Sequence, residues 1–210
     1  MRELNRLGLT GAIDAGGGFQ NYPEDYAVIQ KLADAGQLTI RLAYNLFTQK
    51  PKGEKDDFLN WTKTSKYKQG SDYFRHNGAG EMLVFSAADF EDFRVPRPDL
   101  PPQMEGELED VVRILAQNKW PWRLHATYDE TISRALDVFE KVHQEAPLDG
   151  IHWFFDHAET ISDRSIVLPR WGAASPCSTE WPIRASTLLN DTALAPLKQR
   201  HRLQRYWRGV

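Results

Sequence analysis

Trp122-Arg123-Leu124-His125-Ala126 and Ile151-His152-Trp153-Phe154-Phe155 are two short runs dominated by apolar and aromatic residues. Between them, Thr127-Tyr128-Asp129-Glu130 has the pattern of a capping box. It opens a stretch with Ile132, Leu136, Phe139 and Val142 at helical spacing, ending near Ala146-Pro147. Strands that are apolar on both faces and separated by a helix predict parallel pairing under helical cover.

The same alternation continues towards the N-terminus. Glu107 to Gln117 reads as a helix with Leu108, Val111, Val112 and Leu115 on one face, and Glu81-Met82-Leu83-Val84-Phe85 before it reads as a strand. Leu38 to Tyr44 is a further strand. Pro23-Glu24-Asp25 opens a helix whose apolar side is Tyr26, Ile29, Leu32 and Ala33 and which Gly36 ends. Thr10 to Ala15 is a short buried-strand pattern stopped by Gly16-Gly17-Gly18, a tight turn rather than a phosphate cradle, since the G-x-G-x-x-G spacing is missing. Strands starting near residues 12, 40, 83, 123 and 151 suit either a (β/α)₈ barrel or a doubly wound sheet. Residues 45–78 and 86–106 are then expected as loops, with Lys50 to Lys68 a solvated excursion.

The chain has 210 residues, 41% hydrophobic and 26% charged, the balance of a folded protein. Its single cysteine, Cys177, excludes an internal disulfide framework and a Cys-rich zinc cluster, and no base lies near it in sequence. No apolar run reaches the roughly 20 residues of a membrane span, and Met1-Arg2-Glu3-Leu4 does not open a secretory signal, so a cytoplasmic location is expected. The net charge of −3 gives no general reason to expect a nucleic-acid partner. Charge is uneven, however: residues 167–210 carry 7 Lys/Arg against 2 Asp/Glu, the rest 19 against 27. That break, with no sustained strand or helix pattern beyond it, divides the chain into residues 1–166 and a basic tail, 167–210.

His125 and His157 carry the sharpest chemical signal. They stand at corresponding strand ends 32 residues apart, one strand-helix unit. Adjacent parallel strands lie about 5 Å apart, which allows two imidazoles to share one ion. Each ring then needs an acceptor to fix its tautomer, and Asp129, Asp156 and Glu159 are near in sequence. His76, His143 and His201 are expected at the surface. His152 is expected in the core or facing a helix, and the Trp120/Trp122 and Trp153/Phe154/Phe155 clusters in the core. No G-x-S-x-G elbow occurs, nor any motif for an organic cofactor.

The strings RELNRLGLTGAIDAGGGFQNYPEDYAVI, NGAGEMLVFSAADFEDF, WPWRLHATYDETISRALDVFE and GIHWFFDHAETISDRSI together resemble the YtcJ-like (amidohydrolase-3) branch of the metal-dependent amidohydrolase superfamily. The resemblance covers nearly all of residues 2–166. It implies an α/β fold, an incomplete (β/α)₈ TIM barrel of about five parallel strands. It also implies hydrolysis of non-peptide C–N bonds in small amides or formamides with a divalent metal, zinc foremost. It makes His125 and His157 metal ligands from the fifth and sixth barrel strands; where the family often has a lysine, Glu81 is the charged residue available, as the bridging carboxylate or as a structural residue.

The family's H-x-H pair and last-strand aspartate have no counterpart in this sequence, so no catalytic residue is assigned. Back-translated with permitted codons and read in a shifted frame, 167–210 spells a family-like continuation; an out-of-frame, poorly ordered tail is therefore expected. The reading that follows is a hydrolase fragment, inactive as this chain, with no membrane or nucleic-acid partner and a tendency to self-associate or aggregate. The alternative is a non-catalytic remnant that binds metal weakly or pairs with another chain.

Overall fold

Among the described residues five strands, all parallel, lie side by side in chain order. They are β1 (Gly11–Asp14), β2 (Arg41–Leu46), β3 (Phe74–Ala79), β4 (Trp122–Ala126) and β5 (Trp153–His157). The computed structural model describes residues 1–16, 21–90 and 99–167, all within one unit, Met1–Pro176. The short α1 (Arg2–Arg6) precedes β1. A 3₁₀ turn, Glu24–Tyr26, leads into α2 (Ala27–Asp34), and α3 (Glu54–Thr64), α4 (Met104–Gln117) and α5 (Asp129–Glu145) fill the remaining crossovers, with α6 (Asp163–Val167) last. This strand-helix order is that of an incomplete (β/α)₈ barrel, as expected. Among the described residues no helix is long and apolar enough to cross a membrane. The expected tail from residue 168, with Cys177 and His201, lies outside the described residues, as do Gly17 and Gly18.

The core sits between β3–β5 and helices α4 and α5. Met104, Leu108, Val111, Val112 and Leu115 of α4 are fully buried, as are Ile132, Ala135, Phe139 and Val142 of α5. Phe139 lies over two strands at once, with ring centroids 5.5 Å from Trp122 of β4 and 4.9 Å from Trp153 of β5. Burying one such side chain contributes about 1.5–3 kcal/mol. Trp122 and Trp153 therefore mark the helix-facing side of the sheet, and period-two alternation puts Arg123, His125 and Asp156 on the other. Trp120 and Phe155 are core, as expected, whereas Phe154 is only half-buried, beneath the Arg123 guanidinium.

Several expectations are corrected. The third strand is Phe74–Ala79, not Glu81–Phe85. The latter is a buried loop whose Leu83 and Val84 are enclosed by the core, while the Phe85 N–H donates to Glu54 of α3 at 3.0 Å. Lys50–Lys68 is no solvated excursion, because it contains α3, which buries Phe58 and Glu54. β1 is exposed along most of its length rather than buried, and α2, the helix that follows it, buries no side chain. The N-cap of α5 is Tyr128, not the Thr127 that a capping box implies, and it makes no side-chain capping bond. His76 is wholly buried in β3, its Nδ1 and Nε2 each 3.0 Å from a carbonyl, of Lys66 and Gly78. His152 is exposed instead of buried, lying just before β5 in the loop. His143 is half-buried and accepts the Leu148 N–H.

Candidate metal centre

β4 and β5 run in register, with His125 opposite Asp156 and Ala126 opposite His157. Strict alternation would place His157 on the helix side with Trp153 and Phe155. It does not, because His157 (φ 75°) and Ala158 (φ 55°) adopt left-handed backbone, uncommon outside glycine. The reversal turns the His157 imidazole back over the strand ends, where its ring centroid lies 4.3 Å from that of His125.

Glu81 arrives from the loop after β3. Its N–H donates to the Ala15 carbonyl at 2.9 Å, and its carbonyl accepts the His125 N–H at 2.8 Å. This seating depends on Gly80: a Cβ there would fall 2.8 Å from the Ala15 carbonyl oxygen and 2.9 Å from the Gly16 Cα. The Glu81 carboxylate then points between the histidines, Oε2 lying 3.4 Å from His157 Nε2 and 3.8 Å from His125 Nδ1. One ligand atom from each of Glu81, His125 and His157 lies within 4.8 Å of the others. Ligand atoms around a tetrahedral zinc stand roughly 3.4 Å apart, so this group fits a small divalent ion with little movement. The donor set, one carboxylate and two imidazoles, suits the same ions.

Burial acts to raise the Glu81 carboxyl, yet His125 and His157 beside it hold it well below the usual carboxylate range. His157 is pushed up to about 10 by Glu159 first and Glu81 second, against the opposing effect of burial. Glu159 Oε1 stands 3.7 Å from His157 Nδ1, in the acceptor position expected for it. Asp156 and Asp129 are engaged elsewhere. Asp156 takes a bidentate pair from Arg123, at 2.5 Å for each oxygen, and Asp129 accepts the Ser162 N–H at 2.7 Å.

Asp89 is the residue that sequence reasoning missed. It is 1% exposed, with Oδ1 3.4 Å from His125 Nε2. The Thr127 N–H donates to both its oxygens and the Tyr128 N–H to Oδ2, all at 3.0 Å. Nothing local in Ser86-Ala87-Ala88-Asp89 signals a partner 38 residues away. Phe90, 62% exposed, sets its ring edge-on to His125 at 5.0 Å.

Residues 1–176 match the family model described as Amidohydrolase family, a span that runs past Ile166. Among solved structures, an uncharacterized metal-dependent hydrolase from Pyrococcus furiosus aligns with a TM-score of 0.53 at 17% identity. The alignment covers 79% of this chain and 33% of that one, so the chain spans about a third of that protein's length. No curated protein matches it significantly.

Proposed function

Because the chain belongs to the amidohydrolase family, we propose that it carries the divalent-metal site of a hydrolase acting on non-peptide C–N bonds of small molecules, amides or formamides. The convergence of Glu81, His125 and His157 from three separate segments carries this reading. The fold likeness to the Pyrococcus furiosus protein, itself described as a metal-dependent hydrolase, supports it. Glu81 Oε2, a nitrogen of His125 and His157 Nε2 would hold the ion, with zinc preferred for two imidazoles and a carboxylate. The ion would supply Lewis-acid polarisation of a scissile carbonyl and would lower the pKa of water from 15.7 towards about 7.

The chain's own residues prepare that site. Glu81 places negative charge between the two rings, Glu159 steadies His157, and exposed Phe90 offers an apolar wall beside His125. A second reading, metal binding without turnover, is favoured by the lack of any H-x-H pair in the 210 residues. Glu81, His125 and His157 make up the three protein ligands usual for catalytic zinc, but no proton-transfer group is assigned here.

Cobalt titration of the purified chain tests the metal site, with hydrolysis of an N-formyl or N-acyl amine assayed in parallel. Co²⁺ uptake is expected at one equivalent, and Glu81→Ala or His157→Ala should weaken it by about a hundredfold or more, beyond what loss of an outer partner does. Unchanged uptake in the Glu81→Ala/His157→Ala double variant would end the proposal. Turnover without H-x-H would decide against the second reading.

A further inference from the structure

We infer that Asp89 is a positioning residue for His125: it holds the ring in the tautomer with hydrogen on Nε2, leaving Nδ1 bare towards Glu81 and His157. The inference rests on the metal-site reading above for its consequence, though not for its geometry.

A neutral imidazole has one N–H, and an ionised carboxylate can only accept. His125 Nε2 is buried and makes no well-aligned hydrogen bond; among the described residues the carboxylate oxygen beside it is Asp89 Oδ1, at 3.4 Å. A hydrogen on Nε2 lies on the side of the ring that this carboxylate occupies, a favourable charge–dipole placement. A bare Nε2 would set a lone pair against a buried carboxylate, an unfavourable pairing where little water intervenes. Nδ1 on the opposite side also faces a carboxylate, Glu81 Oε2, but at 3.8 Å, beyond hydrogen-bond reach, so the nearer and more buried Asp89 decides where the hydrogen sits. Nδ1 is the nitrogen an ion between Glu81 and His157 would meet.

Asp89 cannot easily swing away, because Thr127 and Tyr128 donate three backbone hydrogen bonds to it. Both donors follow directly after β4, the strand that carries His125. One carboxylate thus fixes the path of the chain leaving the strand and the orientation of the ring within it. His157 has the mirrored arrangement, with Glu159 at Nδ1 and Nε2 towards Glu81. The two rings thereby present different nitrogens to one point.

Asp89→Asn separates positioning from a purely structural role. Oδ2 already accepts from both Thr127 and Tyr128. An asparagine oxygen in that place keeps both of these bonds and gives up only the Thr127 N–H contact with Oδ1, where its NH₂ now stands opposite His125. The polarity facing Nε2 is reversed and the fold retained. Histidine ¹⁵N spectra of the metal-free full chain in mildly alkaline buffer should show the Nε2–H form of His125 in the wild type. In Asp89→Asn they should show the Nδ1–H form, with Co²⁺ affinity lowered roughly 10–100-fold.

A wild-type His125 in the Nδ1–H form overturns the inference and decides the matter even if Asp89→Asn does not fold. So does an Asp89→Asn protein with the wild-type tautomer and unchanged affinity. If the tautomer switches as expected but neither protein takes up Co²⁺, the positioning role stands and the metal reading falls.

Discussion

β1 and β5 are the two outer strands of the same described sheet, each hydrogen-bonded along one side, yet they differ in almost every other respect. Along β1, Gly11, Ala12 and Ile13 are exposed, Ile13 by 45%. Along β5, Trp153 and Phe155 are buried and the chain ends at a candidate metal ligand. Pairing does not account for this, since β1 makes four register pairs with β2 and β5 makes five with β4. The covering helix does. α5 is 17 residues long and lays Phe139 across β4 and β5, whereas the eight-residue α2 buries no side chain. A parallel strand becomes interior only when its crossover helix has the length and the apolar face to close over it.

The largest expected effect tests that contrast directly. Phe139→Ala should destabilise the chain by about 3–5 kcal/mol in urea unfolding followed by tryptophan fluorescence, and Ile13→Ala should stay within about 0.5 kcal/mol. Equal losses at the two sites would erase the distinction. Asp156→Asn should cost a similar amount, roughly 3–5 kcal/mol, by removing the bidentate carboxylate from a guanidinium that is 2% exposed. Arg123→Met/Asp156→Leu should regain most of it. A double variant no better than the single would mean that the pair itself, rather than the cost of a half-broken pair, supports β4–β5.

The smallest effect belongs to β3, between the two regions. Burial lowers the His76 pKa below its ordinary 6.5, outweighing the carbonyls of Lys66 and Gly78, which raise it. The ring packs against Trp120 and Tyr44, whose phenol burial keeps neutral. The unfolded chain therefore takes up a proton near pH 6.5 while the folded one resists until lower pH. Stability from this group is whole above pH 6.5 and falls below it, by at most about 1.4 kcal/mol per pH unit. His76→Gln should flatten that part of the profile; an identical acid slope in both proteins would show that His76 does not titrate this way.

How much of this was legible in the sequence follows the same division. β4 was readable to the residue because Trp122 to Ala126 is an unbroken buried run. β5 begins at Trp153 and reaches His157, two residues beyond the apolar reading, because its last two positions are polar and serve Arg123 and the metal cluster. β3 was invisible: Phe74-Arg75-His76-Asn77-Gly78-Ala79 has no apolar run, and its buried His76 is satisfied by the Lys66 and Gly78 carbonyls. Glu81–Phe85 carried the apolar signal instead, since a loop enclosed by α3 and α4 must be as greasy as a strand. The strand-unit spacing sufficed to bring His125 and His157 forward, and family resemblance added Glu81. Asp89 could be found only once the chain had been folded, because its partners lie on another strand-helix connection.

The left-handed turn at His157 also narrows what this place in the chain can become. Backbone of that hand is comfortable for glycine and tolerable for asparagine, aspartate and histidine, while bulky or β-branched residues resist it. Within that short vocabulary only histidine offers an uncharged nitrogen lone pair of the kind borderline cations favour. On the proposed metal reading, local geometry and ligand chemistry select the same letter independently, and drift at position 157 is confined from two directions.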